Sequence, residues 1–324
     1  MNKRYCIDLG AREMRVAVDG RIAFSASPML LKAKQDQRIL AVGAEAEMAF
    51  ERAPDNMTVE CPLSQGRISD PTQIEPLVRH ALSMVGGGRG LGRLVRPGVL
   101  LTVPAQAADY EQRALEDTAR AVGFGKVTLV DEILAHARGA EWPIDDPCVV
   151  VVVGAAYAQA GILRDGRVVF ARGHHAHNPL DGAAGEAFNL RLRQTIRQAY
   201  GLQIGRDQAD LILQDSSRKV LGYSERIGKV EEIPLTDDDL EDARRQAVER
   251  LAHLIAMTLG EGTTELGDVA QSALEHRPVL LTGGCAGFPW LKETLRTATN
   301  LDFTCAENPR ETAIRGLMKM EAEA

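Results

Sequence analysis

The sequence predicts an α/β protein built of two similar domains, and three observations carry that prediction. The first is an internal duplication. Residues 5–24 read YCIDLGAREMRVAVDGRIAF and residues 148–170 read CVVVVVGAAYAQAGILRDGRVVF, each an apolar run closed by Gly, a variable middle, a second apolar run and a nearly identical ending. The second is the alternation of strand-like and helix-like segments after each copy, with crossovers of βαβ length. The third is size: 324 residues, 45% of them hydrophobic, exceed one ordinary core and suit two. Aromatics are only 4%, so packing rests on Val, Leu, Ile and Ala, as in buried sheets flanked by helices.

Taken in order, 5–9 and 14–18 read as strands, 21–27 completes a meander before Pro28, and 39–42 reads as an edge strand. The Asp-Gly pairs at 19–20 and 165–166 mark tight turns, because glycine takes positive φ at little cost. Residues 44–53 suggest a short helix, while 54–71 hold three prolines and read as loop or a small inserted lobe. Ile74, Leu77, Val78, Ala81 and Leu82 give 73–85 helical spacing, stopped by GGGRGLG. A strand at 98–103, an amphipathic helix at 107–122 and a strand at 126–130 running into DEILAHARGAE form a parallel βαβ unit.

The second half repeats the plan. Hairpins occupy 148–172, a helix at 186–200 aligns Phe188, Leu192, Ile196 and Tyr200, and 219–233 is β-like. Thr236 and Asp239 resemble a capping box that opens a long helix through Leu240, Ala243, Ala247, Leu251, Leu254 and Thr258. PVLLTGGCAG is a strand ending in paired glycines, followed by a helix at 289–297, a strand at 301–305 and a terminal helix at 309–320 that returns to the first domain.

Charge narrows the function. A net charge of −7 with a pI near 5.6 argues against a nucleic-acid binder, which would normally show a basic face able to displace phosphate counterions, and favours nucleotides and proteins as partners. Five scattered cysteines without a C-x-x-C pair form neither a disulfide frame nor a zinc knuckle, and no haem motif is present. The N-terminus enters a strand at once and the apolar run at 148–163 is broken by Gly, Tyr and Gln, so a cytoplasmic location is expected.

Several tempting motifs carry little chemistry. The glycine run 86–92 follows a helix and leads into a strand, the reverse of a dinucleotide fingerprint, and reads as a surface loop. Its neighbouring arginines and leucines leave open a contact of 86–97 with a membrane or membrane protein. His174, His175 and His177 lack further ligands at matching spacing. Asp237–Asp239 favours a helix N-terminus. Cys285 is a small buried residue or a reactive thiol.

The order YCIDLG, VGAEAEMAFERAPDNMTVECPLSQGRISD, VLLTVPA, VTLVDEILAHARGA, the Gly154 hairpin, AYGLQIGRDQADLI and VLLTGGCAG resembles the bacterial actin family of MreB and MamK across essentially the whole chain. The most specific stretches are 62–70, 202–212 and 281–284. The resemblance implies an actin-like fold: two ribonuclease-H-like domains around a cleft holding ATP and magnesium. Domain I would comprise 1–141 plus 306–324, with an inserted lobe about 28–71, and domain II 142–305, with an inserted lobe about 181–245. It places Asp8 and Gly10 at the first phosphate turn with Asp8 near magnesium, and Gly154 at the second. Gly185 and Glu186 fall near the sugar, Gly283 and Gly284 by the adenosine, and Glu132 where an acidic residue positions the attacking water.

Departures from the family pattern matter as much. After Gly10 stand Ala11, Arg12, Glu13 and Met14 in place of a threonine and small polar residues, and the second turn reads Val152, then Gly154-Ala155-Ala156-Tyr157, where an Asp and a GGGT-like turn are usual. Nucleotide-bound magnesium needs one or two carboxylates, and each lost charge-assisted contact costs about 1.5–3 kcal/mol. Weakened ATP and magnesium binding is expected, with weak or absent hydrolysis. Asp8 as a mere turn-capping carboxylate stays open. The resemblance implies a protein that forms filaments with itself or another bacterial actin, for cell shape or organelle positioning. A non-polymerising scaffold or regulator remains the alternative, and a sugar kinase or chaperone-type ATPase of the wider superfamily fits less well.

Overall fold

Each copy of the duplicated stretch folds into three antiparallel strands that seed a five-stranded sheet. The computed structural model describes residues 3–64, 67–68, 71–86, 96–174, 176, 178–215, 217–275 and 277–323. The chain divides into two units, Met1–Trp142 with Glu311–Ala324, and Pro143–Arg310.

In the first unit, β1 (Tyr5–Leu9), β2 (Met14–Val18) and β3 (Arg21–Ala26) form the meander. Asp19 and Gly20 join β2 to β3 with φ of 49° and 75°, the two left-handed residues of a type I′ turn, whose twist matches that of the strands. Next come β4 (Leu30–Ala33), β5 (Ile39–Val42), α1 (Ala44–Met48) and β6 (Met57–Glu60), with the three strands in a small sheet of order β5-β4-β6. β7 (Leu63–Ser64) and β8 (Arg67–Ile68) make a short ladder. The segment read as loop therefore contains strands, and β4 lacks a clean sequence signal because Lys32 interrupts its apolar run. Lys32 is 4% exposed and tolerated there because it pairs with Glu60 of the adjacent strand.

α2 (Ile74–Met84), β9 (Val99–Val103), α3 (Asp109–Val122), β10 (Val127–Asp131) and α4 (Glu132–Gly139) complete this part of the chain. The sheet order is β10-β9-β1-β2-β3, with β9 parallel to both β1 and β10. Its core joins Ile7, Val16, Leu77, Leu82, Leu101, Leu115 and Phe124, and the Phe124 ring meets Tyr5 edge-on.

The second unit begins with β11 (Cys148–Val153), buried along its whole length, then β12 (Ala158–Arg164) and β13 (Arg167–His174). Asp165 and Gly166 repeat the type I′ turn with φ of 51° and 71°. Even the irregularity is duplicated: the register slips between Val16 and Ala17 opposite β3, and between Ile162 and Leu163 opposite β13, just after Phe24 and Phe170 pair. α5 (Gly185–Tyr200), β14 (Leu202–Gln203), α6 (Arg206–Leu213), β15 (Lys219–Ser224) and β16 (Lys229–Pro234) follow, with the strands in order β14-β15-β16.

The 30-residue α7 (Asp237–Leu266) opens on the expected capping box: Thr236 Oγ1 accepts from the Asp239 amide, and the Thr236 amide donates to Asp239 Oδ2 at 2.7 Å. α7 passes through Gly260 and Gly262 without breaking. A Cβ on Gly262 would sit 2.5 Å from Ile162 Cδ1, so glycine lets the helix lie on β12. α8 (Asp268–Glu275), β17 (Val279–Thr282), α9 (Leu291–Thr299) and β18 (Phe303–Cys305) close the unit, with sheet order β13-β12-β11-β17-β18, the order of the first sheet repeated. α10 (Thr312–Glu323) then packs on α4 in the first unit. Among the described residues no helix is long and apolar enough to cross a membrane.

Candidate functional site

In the first unit the hairpin register decides the chemistry. Asp8 lies directly across from Arg15, and Leu9 across from Met14, leaving Gly10 to Glu13 as a four-residue turn. Gly10 is required there, since a Cβ would stand 2.6 Å from the Glu13 carbonyl oxygen. Asp8 is only 5% exposed. Its Oδ2 lies 3.5 Å from Arg15 Nη1, and its Oδ1 accepts from Thr102 Oγ1 at 3.3 Å, while Thr102 Oγ1 in turn accepts from the Leu9 amide. Arg15 Nη2 also donates to Glu13 Oε2, and Ser25 Oγ donates to Glu13 Oε1. Glu13 is turned along the sheet and paired.

Burial pushes Asp8 up to about 6, and Glu132 adds to the rise, against the opposing pull of His136, Arg15 and Thr102. The structure thus brings Asp8, Gly10 and Glu132 into one neighbourhood. Glu132 opens α4, whose N-cap Asp131 accepts from the amides of Ile133 at 2.8 Å and Leu134 at 3.4 Å. Glu132 Oε1 lies 3.7 Å from His136 Nε2, and His136 Nδ1 meets Thr312 Oγ1 of α10.

In the second unit Val152, 2% exposed, faces Gln159, and Gly154 to Tyr157 form a turn of the same length. The Gly154 amide donates to the Tyr157 carbonyl at 2.9 Å. The first amides of α5 reach this turn: Gly185 N donates to Gly154 O at 3.1 Å and Glu186 N to Ala155 O at 2.7 Å. Cys285 Sγ donates to Gly154 O at 3.2 Å, and burial pushes its thiol up to about 12, which makes it the small buried residue and not a reactive thiolate. Gly283 has φ of 88°, and a Cβ there would meet Val153 O at 2.6 Å, whereas Gly284 opens onto free space. Gly154, Gly185, Glu186, Gly283 and Gly284 therefore form one cluster.

The two turns are matched residue for residue. Arg15 pairs across to Ser25 on β3, and Gln159 pairs across to Gly173 on β13. In the first copy the last turn residue, Glu13, reaches Ser25; in the second, Tyr157 lies over Gly173, where a Cβ would stand 1.3 Å from the tyrosine oxygen. The row Asp8–Arg15–Glu13–Ser25 is charged, and the row Val152–Gln159–Tyr157–Gly173 is neutral. Sequence reading missed Arg15 as a site residue; the signal was the hairpin itself, which sets residues equidistant from a turn side by side.

Gly284 leaves the backbone open on its side, and neither turn fits a divalent cation. Asp8 is already engaged by Arg15 and Thr102, and the second row has no carboxylate. Among the described residues no group of three or more His, Cys, Asp or Glu could hold a metal ion. His174 Nε2 contacts the Asp181 carbonyl at 2.7 Å. His175, His177, residues 87–95 of the glycine-rich loop, and 65–66 and 69–70 of the 62–70 motif lie outside the described residues.

Comparison with known proteins gives the family. The chain is 25% identical over 327 residues to the cell shape-determining protein MreB of Escherichia coli, covering 96% of this chain and 90% of that protein. It is 24% identical over 323 residues to the cell shape-determining protein Mbl of Bacillus subtilis, with coverage of 96% and 93%. The crystal structure of MreB5 of Spiroplasma citri bound to ADP superposes with a TM-score of 0.86 at 18% identity, over 100% of this chain and 97% of that one. A MamK double helical filament gives 0.73 at 19% identity over 99% of each. The fold is actin-like. Because the model of the family described as MreB/Mbl protein matches residues 2–324, the chain belongs to the MreB/Mbl family of bacterial actins.

Proposed function

We propose that this protein is a filament-forming bacterial actin of the cytoplasm, serving cell shape or organelle positioning, which holds nucleotide weakly and hydrolyses ATP slowly or not at all. Membership of a family with cell shape-determining relatives supports the first part, as does the likeness to MamK in a double helical filament. Likeness to MreB5 structures bound to ADP and to AMPPNP supports a nucleotide as the ligand. The observation that carries the second part is the Asp8–Arg15–Glu13 row, which spends the first turn's carboxylates on an internal guanidinium.

Phosphoryl transfer depends on positioning and on neutralising developing charge. Here Asp8 is buried against Arg15, Val152 offers no charge, and Glu132, the residue in place to orient a water, stands 3.7 Å from His136. Nucleotide would then be held chiefly by the backbone at Gly283 and Gly284 and by turn amides. Calorimetric titration with ATP and magnesium, paired with a phosphate-release assay, tests this. Binding weaker than about 10 µM with no sustained release is expected. Micromolar or tighter binding with steady turnover would overturn it.

A further inference from the structure

Asp8 is buried, yet it is not an isolated charge. The β1–β2 register holds Arg15 opposite it, the Arg15 side chain is 10% exposed, and its two terminal nitrogens are divided between Asp8 Oδ2 and Glu13 Oε2. Glu13 is fixed on its far side by Ser25, and Asp8 on its far side by Thr102. A guanidinium cannot give up its proton in a protein. Arg15 could swing away only by leaving Asp8 unpaired in the interior, which is strongly unfavourable. A cation touching Asp8 would share the carboxylate with the guanidinium and be repelled by it, and Mg²⁺ further demands a near-octahedral set of oxygens at short range. The equivalent row in the second unit, Val152, Gln159, Tyr157 and Gly173, has no carboxylate to offer.

We infer that Arg15 is a resident counter-ion, the fold's own replacement for a divalent cation at the first turn, so that this turn takes no Mg²⁺ or Mn²⁺ and a nucleoside diphosphate binds in metal-free form. The inference rests on the proposed nucleotide site for its ligand. The metal-free state of the turn rests only on the Asp8–Arg15–Glu13 geometry.

The test uses Mn²⁺ as a paramagnetic probe on the full chain, alone and with ADP, together with ADP calorimetry in excess Mg²⁺ and in EDTA. The wild type is expected to bind no Mn²⁺ in an Asp8-dependent way and to bind ADP with affinities within about twofold in the two buffers. Arg15→Gln, which leaves Asp8 and Glu13 without their cation, is expected to gain at least about tenfold in Mn²⁺ affinity, and adding Asp8→Asn should cancel that gain. Arg15→Lys keeps the charge and should behave as the wild type. Asp8-dependent Mn²⁺ binding by the wild type overturns the inference, as does an Arg15→Gln protein of native circular dichroism with no gain. If Arg15→Gln fails to fold, the comparison of wild type with Asp8→Asn still decides. Tight metal-free ADP binding would defeat the weak-nucleotide reading while supporting this one.

Discussion

Asp131 shows how a single residue serves two demands at once. As the N-cap of α4 its carboxylate accepts from two backbone amides, yet burial outweighs those bonds and, with Glu132 beside it, pushes its pKa up to about 6 from the ordinary 3.8. Between those two values the folded state holds a proton that the unfolded chain has released, so stability falls as pH rises from about 4 to about 6 and the loss is complete above that. Asp131→Asn keeps the capping oxygen without the charge. It is expected to flatten this slope and, at pH 7, to raise stability by up to about 3 kcal/mol, measured by urea unfolding at pH 5 and pH 7; an unchanged pH slope would show the carboxylate is not the source. The candidate site was legible in part at this scale. Asp8, Gly10 and Glu132 gather in one unit, and Gly154, Gly185, Glu186, Gly283 and Gly284 in the other; glycines such as Gly10 and Gly283, forced by close backbone approach, and a carboxylate at a strand end stand out singly. Arg15 did not stand out, since its meaning lies in facing Asp8 across a turn, which only the register reveals.

Among elements, the α4–α10 pair approaches backbone to backbone. A Cβ on Gly139 would stand 1.8 Å from the Thr312 carbonyl oxygen, and one on Gly316 1.8 Å from that of Ala135, so neither helix tolerates a side chain at the crossing. Gly316→Ala is expected to cost about 2–3 kcal/mol or more through overpacking and to expose α10 to limited proteolysis. Gly260→Ala in α7, where a Cβ meets nothing within 4 Å, should be neutral or stabilising by up to about 1 kcal/mol. Equal losses in both variants would place the effect elsewhere than in the crossing. The same glycines explain which elements were readable. The terminal helix was readable as a helix, but the continuation of α7 to Leu266 and the separate α8 were not. GEGTT looks like a breaker in sequence, and only the close contact of Gly262 with Ile162 shows why the helix runs through it. β4 was hidden in the same way by Lys32, whose charge is cancelled by a residue 28 positions on, Glu60.

For the whole molecule, the duplicated hairpin was enough to predict two sheets, and both share one strand order, one pair of type I′ turns and one register slip. Assembly left no such trace, because polymer contacts are surface patches without periodicity or a fixed motif. The prediction rests instead on family and on charge. A head-to-tail contact between different faces of identical copies propagates without limit unless rotation closes it, so a sedimentable polymer should appear above a threshold concentration and grow with it. With a net charge of −7 per copy, like-charge repulsion opposes association, and raising ionic strength toward 0.15 M, where screening acts within about 8 Å, should lower that threshold. Because Arg15 already satisfies Asp8, replacing magnesium with EDTA should leave the threshold within about twofold. Sedimentation and light scattering across a concentration series, with and without ATP, ADP, magnesium and salt, measure this. A protein that stays monomeric in every condition would instead be a regulator of another bacterial actin's filaments, and a polymer that dissolves in EDTA would show that a metal, and not Arg15, completes the first turn.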